Sequence, residues 1–196
     1  MSDTKIKEIL SGKTEFESRF VKDFDQLDSL VKMLKKMGYR IVLTQGVYDL
    51  LHEGHAKYLE NAKSHGDILI VGIDSDELTK QRKGPTRPIV PQEERVKMLA
   101  HLRHVDIIVL RETKHEIGDL IRLVKPDVLV VSSSTTDFPK EMAMEYEKNC
   151  GQIIMLPPQS TTTTSARIRT LFIEGAEKLA SEINKLTKDF LEKFNK

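Results

Sequence analysis

The sequence predicts an α/β fold built around an open, parallel β-sheet. Five short apolar runs alternate along the chain with stretches in which apolar residues recur at helical spacing. Within each run the apolar residues are continuous rather than alternating, as expected for strands that are buried on both faces. Strands interleaved with helices at this spacing favour right-handed βαβ units. The predicted strands span residues 41–43, 68–73, 107–110, 128–131 and 153–156.

Helical periodicity is strongest just before the first predicted strand. Apolar residues from Phe24 to Met37 recur at three- and four-residue steps, and the following Gly38 is a residue type that commonly ends helices. The helix after the first strand is expected to end at Gly66. That helix includes residues 57–63, and the further predicted helices span residues 92–102, 117–124 and 140–149.

A second amphipathic pattern occupies the last part of the sequence. We therefore expect an N-terminal helical extension at 1–38, a central domain at 39–175 and a C-terminal helix at 176–196. Neither terminal helix carries an obvious reactive group, so both are expected to serve packing or the formation of a homodimer. The apolar residues of the last helix are Leu179, Ile183, Leu186, Phe190 and Phe194.

Composition narrows the class of protein. Of the 196 residues, 39% are hydrophobic and 31% are charged, which is ordinary for a folded domain with its own core. Lys and Arg number 31 against 30 Asp and Glu, so the net charge of +1 gives no broad surface for nucleic acid or membrane. The single cysteine, Cys150, cannot form an internal disulfide and favours a reducing, cytoplasmic setting. Residues 1–5 lead into no long apolar block, so neither a signal peptide nor a membrane span is expected.

The stretch from Gly46 to His55 connects the first predicted strand to a helix. A small residue there lets the backbone approach a ligand, and the helix start directs free N–H groups towards it. Such a corner binds anions, most often phosphate. His52 and His55 add two donors, and a metal pair is less favoured because no third ligand with zinc spacing is evident nearby. Ligands of open α/β sheets bind beyond the carboxyl ends of the strands, where we also expect His52, Asp74, Ser132 and the loop before Thr164.

The segment His52-Glu53-Gly54-His55, within Gly-x-Tyr-Asp-x-Leu-His-x-Gly-His, resembles the HxGH signature of the cytidylyltransferase-like nucleotidyltransferases. The similarity continues through residues 83–89, 94–95 and 105–106. It is greatest to the heptose 1-phosphate adenylyltransferase domain of ADP-heptose synthases, with glycerol-3-phosphate and phosphocholine-type cytidylyltransferases second. The resemblance implies a Rossmann-like fold of the HUP type, with extra helices at both ends.

This resemblance also implies roles for the residues of the turn. His52 and His55 would stabilise the α-phosphate as it becomes five-coordinate, an electrostatic role that depends on placement. Asp49 is expected to hold the turn through hydrogen bonds rather than to act in catalysis. The family usually has Phe where Tyr48 stands. The remaining nucleotide contacts implied by the resemblance are Thr44, Gly46, Val47 and Tyr48.

Lys83 and Arg87 lie in a stretch whose Gly and Pro residues predict a loop. The stretch resembles the KGxxRP segment of the heptose enzymes, which implies that Lys83 reaches the transferring or acceptor phosphate and that Arg87 contacts the substrate. Arg95, in the next predicted helix, is equally compatible with a structural ion pair and with a phosphate ligand.

Residues 164–169 resemble the second family signature, S-[ST]-T-x-I-R. Hydroxyl groups before a helix are ordinary N-caps, but with a cation one turn later they can also bind phosphates. By resemblance, Ser165 and Arg169 would hold the β- and γ-phosphates. Ala166 stands where a threonine is common, so one hydroxyl contact is missing.

The resulting hypothesis is a nucleotidyltransferase that joins a nucleoside triphosphate to a small phosphorylated sugar or alcohol and releases pyrophosphate. ATP is favoured by the KGxxRP segment, CTP is the alternative, and Mg²⁺ is expected to bridge the phosphates. Residues 157–160 lack the Arg-Thr-x-Gly segment of the cytidylyltransferases, and residues 132–138 replace a glycine-rich loop of the heptose enzymes. The acceptor is therefore left open.

Two other classes of protein are alternatives to a nucleotidyltransferase. An aminoacyl-tRNA synthetase fragment is disfavoured because the sequence has neither a KMSKS-like loop nor an excess of basic residues. A nucleotide-binding regulatory protein without catalysis stays open, because Ala166 and the serine-rich residues 132–137 depart from the enzyme signatures.

Overall fold

The computed structural model describes residues 2–13, 15–116, 118–133, 146–159 and 164–194. The chain forms two compact units, Met1–Gln159 and Ser160–Lys196, which are described separately below. The expected boundaries at residues 38 and 175 stay predictions.

The first unit contains a sheet whose strands all run parallel. Within the described residues it has six strands in the order β1-β4-β3-β2-β5-β6. The five predicted strands are confirmed, each with a small change of bounds. The strands are β1 Phe20–Val21, β2 Ile41–Gly46, β3 Ile68–Asp74, β4 Ile107–Arg111, β5 Val128–Ser132 and β6 Gln152–Leu156.

Helices cover both faces of this sheet, giving three layers. Apolar residues of α1, α3 and α7 pack on one face, and those of α4 and α6 pack on the other. The two buried clusters explain why the strands are apolar on both sides. In the part of the first unit that the structure describes, the helices are α1 Ser2–Leu10, α2 Phe16–Arg19, α3 Phe24–Lys36, α4 Glu53–Lys63, α5 Asp76–Lys83, α6 Gln92–Ala100 and α7 Asp119–Val124.

Several elements differ from the sequence prediction. The two-residue β1 is too short to leave a pattern, and α1 buries Ile6 and Ile9 among otherwise charged residues. α5 is strongly polar and buries only Leu78 and Thr79, so its helical period is not visible in the sequence. α4 begins one turn earlier than expected. Most of the predicted helix at 140–149 lies outside the described residues.

The chain reverses its direction of travel across the sheet at β2. From β2 it adds β3 and β4 on one side, and then crosses to add β5 and β6 on the other. The register between β2 and β5 pairs only Val42 with Val128 and Leu43 with Leu129. Beyond these pairs the two strands part towards their carboxyl ends. A crevice at such a reversal is where ligands of open α/β sheets bind.

The second unit is dominated by one long helix, α8 Thr164–Phe194. It passes without a break through residues 175 and 176, where the sequence analysis separates the central domain from the terminal helix. None of the helices within the described ranges combines the length and apolar character needed to cross a membrane. Large apolar side chains exposed along α8 are Leu171, Phe172, Ile173, Leu179, Ile183, Leu186 and Phe190.

Candidate active site

The turn from β2 into α4 has a constrained backbone. Tyr48 and Leu50 both have positive φ, at 53° and 48°, a region that side chains other than glycine rarely adopt. Gly46 allows the Tyr48 ring to fold back over the strand end, because a Cβ at Gly46 would lie 3.1 Å from Tyr48 Cε2. Strain of this kind persists only where surrounding contacts hold it, and two such contacts are evident.

Arg95 is the first of them. Its side chain is buried, with 1% exposed, and reaches from α6 to the turn. Nη1 donates to the carbonyl oxygen of Val47, and Nε donates to that of Val90 at 2.9 Å. Nη2 donates to the Asp74 carbonyl at 2.9 Å and to the Asp76 carboxylate at 2.7 Å. Arg95 is therefore a structural residue that ties the turn to the end of β3, which decides between the two roles that the sequence left open.

Asp49 is the second contact, and its expected structural role is confirmed. Its carboxylate accepts hydrogen bonds from the backbone N–H groups of Ile89 and Val90, each at 3.0 Å. It also pairs with Arg87, whose Nε lies 3.2 Å from Asp49 Oδ2. The basic segment after α5 is thereby anchored to the turn. Arg87 is engaged with Asp49, and its contact with substrate stays a prediction.

His52 is the N-cap of α4. Its Nδ1 accepts a hydrogen bond from the backbone N–H of Gly54 at 3.1 Å, so in the neutral ring the proton lies on Nε2. The rings of His52 and His55 lie close together, with centroids 4.0 Å apart. The structure therefore brings the two predicted histidines together at a helix N-terminus, where partial positive charge favours an anion.

His55 is held in its neutral form. Burial, the neighbouring His52 and the charge of Lys83 lower the pKa of His55 to about 4, although Asp49 acts in the opposite direction. Its Nδ1 is buried and makes no hydrogen bond with the described residues. The Tyr48 ring contacts it edge-on, at a centroid distance of 5.7 Å. At neutral pH the imidazole of His55 can thus act as a neutral donor.

The pKa of His55 predicts a dependence of stability on pH. The unfolded chain binds a proton at His55 near the ordinary value of 6.5, but the folded chain binds it only near pH 4. The free energy of unfolding should therefore fall as the pH drops from 6.5 to 4, by up to about 3 kcal/mol from this residue. Urea denaturation at pH 7 and pH 4 measures it, with His55→Gln as the comparison. The variant should lose less stability than the wild type over this range, and an equal loss would contradict the assignment.

Thr44 lies beneath the turn, fully buried in the crevice between β2 and β5. Its Oγ1 lies 2.8 Å from the hydroxyl of Tyr58, which donates to the carbonyl oxygen of Val130 at 3.1 Å. Burial raises the pKa of Tyr58 to about 12, so it stays protonated and can donate. Tyr58 thus bridges the two strands where they part. The Thr44 hydroxyl is committed to this bridge, and a nucleotide contact at Thr44 stays a prediction.

Lys83 is the last residue of α5 rather than part of a loop. Gly84 caps the helix with φ of 96°, and the loop begins only there. Lys83 lies near enough to His55 for its charge to lower the pKa of that histidine. The basic segment and the histidine pair are therefore close to each other. The catalytic and acceptor-binding role of Lys83 stays a prediction, as do the nucleotide contacts of Gly46, Val47 and Tyr48.

Comparison with known proteins identifies the domain. A family model described as cytidylyltransferase-like matches residues 43–172, a range that includes the turn and both histidines. The chain belongs to the cytidylyltransferase-like family. The resemblance to the HxGH nucleotidyltransferases that the sequence suggested is thereby confirmed.

Relatives of this cytidylyltransferase-like chain include the bifunctional protein HldE of Nitratiruptor sp., which is 42% identical over 153 residues. The match covers 77% of this chain but 32% of that protein, so the chain spans about a third of the curated relatives it matches. A crystal structure of a lipopolysaccharide core biosynthesis protein from Thermoplasma volcanium is 26% identical, with a TM-score of 0.54. It covers 61% of this chain and 97% of that one. Pantoate-beta-alanine ligase from Francisella tularensis, 19% identical with a TM-score of 0.55, shares the fold over 75% of this chain and 69% of its own. The predicted Rossmann-like fold is thus confirmed.

Residues 164–169, which resemble the second family signature, lie in the second unit. Ser165 and Arg169 are both in the first turns of α8, and Arg169 is exposed. The structure does not describe the side chain of Ser165. Residues 134–138, which include part of the serine-rich segment, also lie outside the described residues. The roles of Ser165 and Arg169 as triphosphate ligands stay predictions.

Sequence reasoning missed two parts of this cytidylyltransferase-like domain. It did not consider Tyr58, because a tyrosine on a helix is usually a packing residue. It also passed over Arg111, which ends β4 and pairs with Asp74 at the end of β3. Arg111 could have been identified from the sequence, because this charged residue directly follows the apolar run 107–110.

Proposed function

We propose that the chain transfers a nucleotidyl group from a nucleoside triphosphate, preferably ATP, to a sugar phosphate such as heptose 1-phosphate, with release of pyrophosphate. The observation that carries the proposal is the histidine pair, with ring centroids 4.0 Å apart at the N-terminus of α4. Imidazole donors beside a helix N-terminus suit a phosphoryl group that gains negative charge during reaction.

The reaction proceeds by in-line displacement. An oxygen of the acceptor phosphate forms a bond to the α-phosphorus, and the bond from that phosphorus to the bridging oxygen of the β-phosphate breaks. His52, through Nε2–H, and His55 donate to the α-phosphate oxygens as charge builds up. Lys83 steadies the transferring or acceptor phosphate, and Arg87 with its loop borders the acceptor. Ser165 and Arg169 are proposed to hold the departing pyrophosphate.

Mg²⁺ is proposed to enter with the nucleotide, as part of the substrate, where it bridges the phosphates. Within the described ranges no group of three His, Cys, Asp or Glu side chains is arranged to hold a metal ion. The Asp49 carboxylate, the acidic group of the turn, is engaged by Arg87 and two backbone N–H groups. The described carboxylates of the turn therefore do not fit a resident metal ion.

The choice of substrates rests on resemblance. Similarity to the bifunctional HldE proteins and to a lipopolysaccharide core biosynthesis protein supports a sugar phosphate as acceptor. The Lys83–Arg87 segment favours ATP. A CTP-dependent cytidylyltransferase acting on glycerol 3-phosphate or a similar alcohol phosphate is the alternative. We also propose a cytoplasmic homodimer, from the single cysteine and the apolar terminal helices.

A screen for pyrophosphate release tests the proposed function. ATP and CTP are each combined with heptose 1-phosphate, other sugar 1-phosphates and glycerol 3-phosphate in the presence of Mg²⁺. We expect turnover with ATP and a sugar phosphate, at rates of about 1 s⁻¹ or more with the true acceptor. The variant His52→Ala/His55→Ala, in the same screen, controls for contaminating activity.

The second candidate is a nucleotide-binding regulatory protein that has lost catalysis. Ala166 favours it, because the family commonly has a threonine hydroxyl there. Tight nucleotide binding by calorimetry, without pyrophosphate release across the whole panel, would support the regulator and contradict the enzyme.

A further inference from the structure

A buried charged cluster lies at the carboxyl ends of β3 and β4. Asp74 is fully buried and accepts from two arginines. Its Oδ1 lies 2.8 Å from Nη1 of Arg111, and its Oδ2 accepts from Arg82. Both carboxylate oxygens already accept a hydrogen bond, and neither is bonded to Nε or Nη2 of Arg111.

Those other nitrogens form a fork that has no hydrogen-bond partner among the described residues. Nε and Nη2 of Arg111 are buried and make no hydrogen bond with any described residue. They are the two nitrogens on one side of the guanidinium, which present parallel N–H groups to a carboxylate or phosphate. Burial lowers the pKa of Arg111, which shows that Asp74 does not fully compensate its loss of water. Buried charged donors without partners are costly, so such a fork indicates an acceptor that the described residues do not supply, and an oxyanion matches its two parallel N–H groups.

The residues around the fork do not supply that anion. Asp119, whose charge reaches Arg111, already accepts from the backbone N–H of Glu116 and from Arg122. Gly72 leaves room for the Arg111 side chain, because a Cβ at Gly72 would lie 3.1 Å from Arg111 Cδ and 2.5 Å from Leu120 Cδ2. The guanidinium is thus held in place by Asp74 and by packing.

We infer that the Nε–Nη2 fork of Arg111 binds an oxyanion of the acceptor, a phosphate or carboxylate, and so selects the acceptor. This inference rests on the proposed function for the identity of the ligand. The fork is absent from the predicted set of site residues, and it adds a specificity determinant to that set.

The topology assigns the fork to the acceptor rather than to the nucleotide. The crevice at the reversal of the sheet lies between β2 and β5, and β4 lies on the other side of β2, beyond β3. Neighbouring strands are about 4.8 Å apart, so the carboxyl end of β4 lies about 10 Å from that of β2, where the histidine turn begins. A nucleotide in the crevice leaves this side of the sheet to the second reactant.

Nuclear magnetic resonance of the side-chain Nε–H groups tests the fork directly. Inorganic phosphate is titrated into the wild-type protein, and the Arg111 signal is assigned by through-bond correlation and by its loss in Arg111→Lys. We expect this signal to shift saturably with phosphate. Arg19 is a matched internal control, because it is buried and its Nε donates to the backbone carbonyl of Lys13. We expect the Arg19 signal not to shift.

If the Arg111 signal does not shift, or if the Arg19 signal shifts equally, the inference is overturned. This measurement needs no turnover, so its failure is distinct from failure of the proposed function. Once the screen provides an acceptor, Arg111→Lys should raise the KM for that acceptor about tenfold to a hundredfold, because lysine lacks the fork. The KM for the nucleotide should change less than about threefold. A rise in the nucleotide KM alone would place the fork at the nucleotide and contradict the assignment.

Discussion

Replacing His52 or His55 with alanine should slow nucleotidyl transfer by roughly a hundredfold to a thousandfold each. The expected size is that of removing one preorganised donor from a developing oxyanion. Because the two rings lie side by side and would act on one phosphate, the double variant should lose less than the product of the two single losses. Initial rates of pyrophosphate release measure the effect, and nucleotide binding by calorimetry should weaken far less than the rate.

A structural effect at His52 needs its own control. His52 caps α4 through its Nδ1, and loss of an N-cap costs about 1 kcal/mol in stability. His52→Asn restores a capping side chain without restoring the imidazole Nε2–H. We expect it to recover the thermal stability of the wild type while remaining as slow as His52→Ala. Recovery of the rate by asparagine would show that capping, rather than donation to phosphate, is the function of His52.

Arg95→Met should destabilise the protein by about 3–5 kcal/mol, the range for breaking a buried, hydrogen-bonded charge pair. The substitution removes four hydrogen bonds and leaves the carbonyl oxygens of Val47, Val90 and Asp74 without this donor. Because Arg95 supports the strained turn, activity should also fall under conditions in which the variant is still folded. Urea denaturation gives the free energy of unfolding.

Arg103→Met is the matched control for this substitution, since Arg103 is exposed just beyond the same helix. We expect its free energy of unfolding to stay within about 0.5 kcal/mol of the wild type. If Arg95→Met changed the free energy of unfolding as little as Arg103→Met, the turn would have to be held by its other contacts, principally those of Asp49.

Much of the fold could be predicted because its signals are local. A parallel strand buried on both faces must be apolar at every position, and runs such as 68–73 show this directly. The turn at Gly46 and the two histidines after it could also be predicted, because a tight turn restricts which residues can stand there. Gly38 ended the helix before β2 as predicted.

The role of Arg95 could not be predicted, for a physical reason. Its partner Val47 lies 48 residues earlier, and Asp74 lies 21 residues earlier. Nothing in a helix sequence reveals which distant carbonyl groups will converge on a guanidinium. The same holds for Arg111 and for Tyr58, whose hydroxyl reaches Val130, 72 residues further along. Short or polar elements such as α5 were missed because tertiary contacts, not a sequence period, define them.

The position of β1 at the edge of the sheet has a consequence for biosynthesis. β1 pairs with β4, and Arg19 beside it donates to the carbonyl oxygen of Ala100, 81 residues further along the chain. During synthesis β1 therefore leaves the ribosome well before β4. It has no strand to pair with until that later segment has been translated. A chaperone that binds such unpaired segments would therefore act on this protein before β4 has been synthesised.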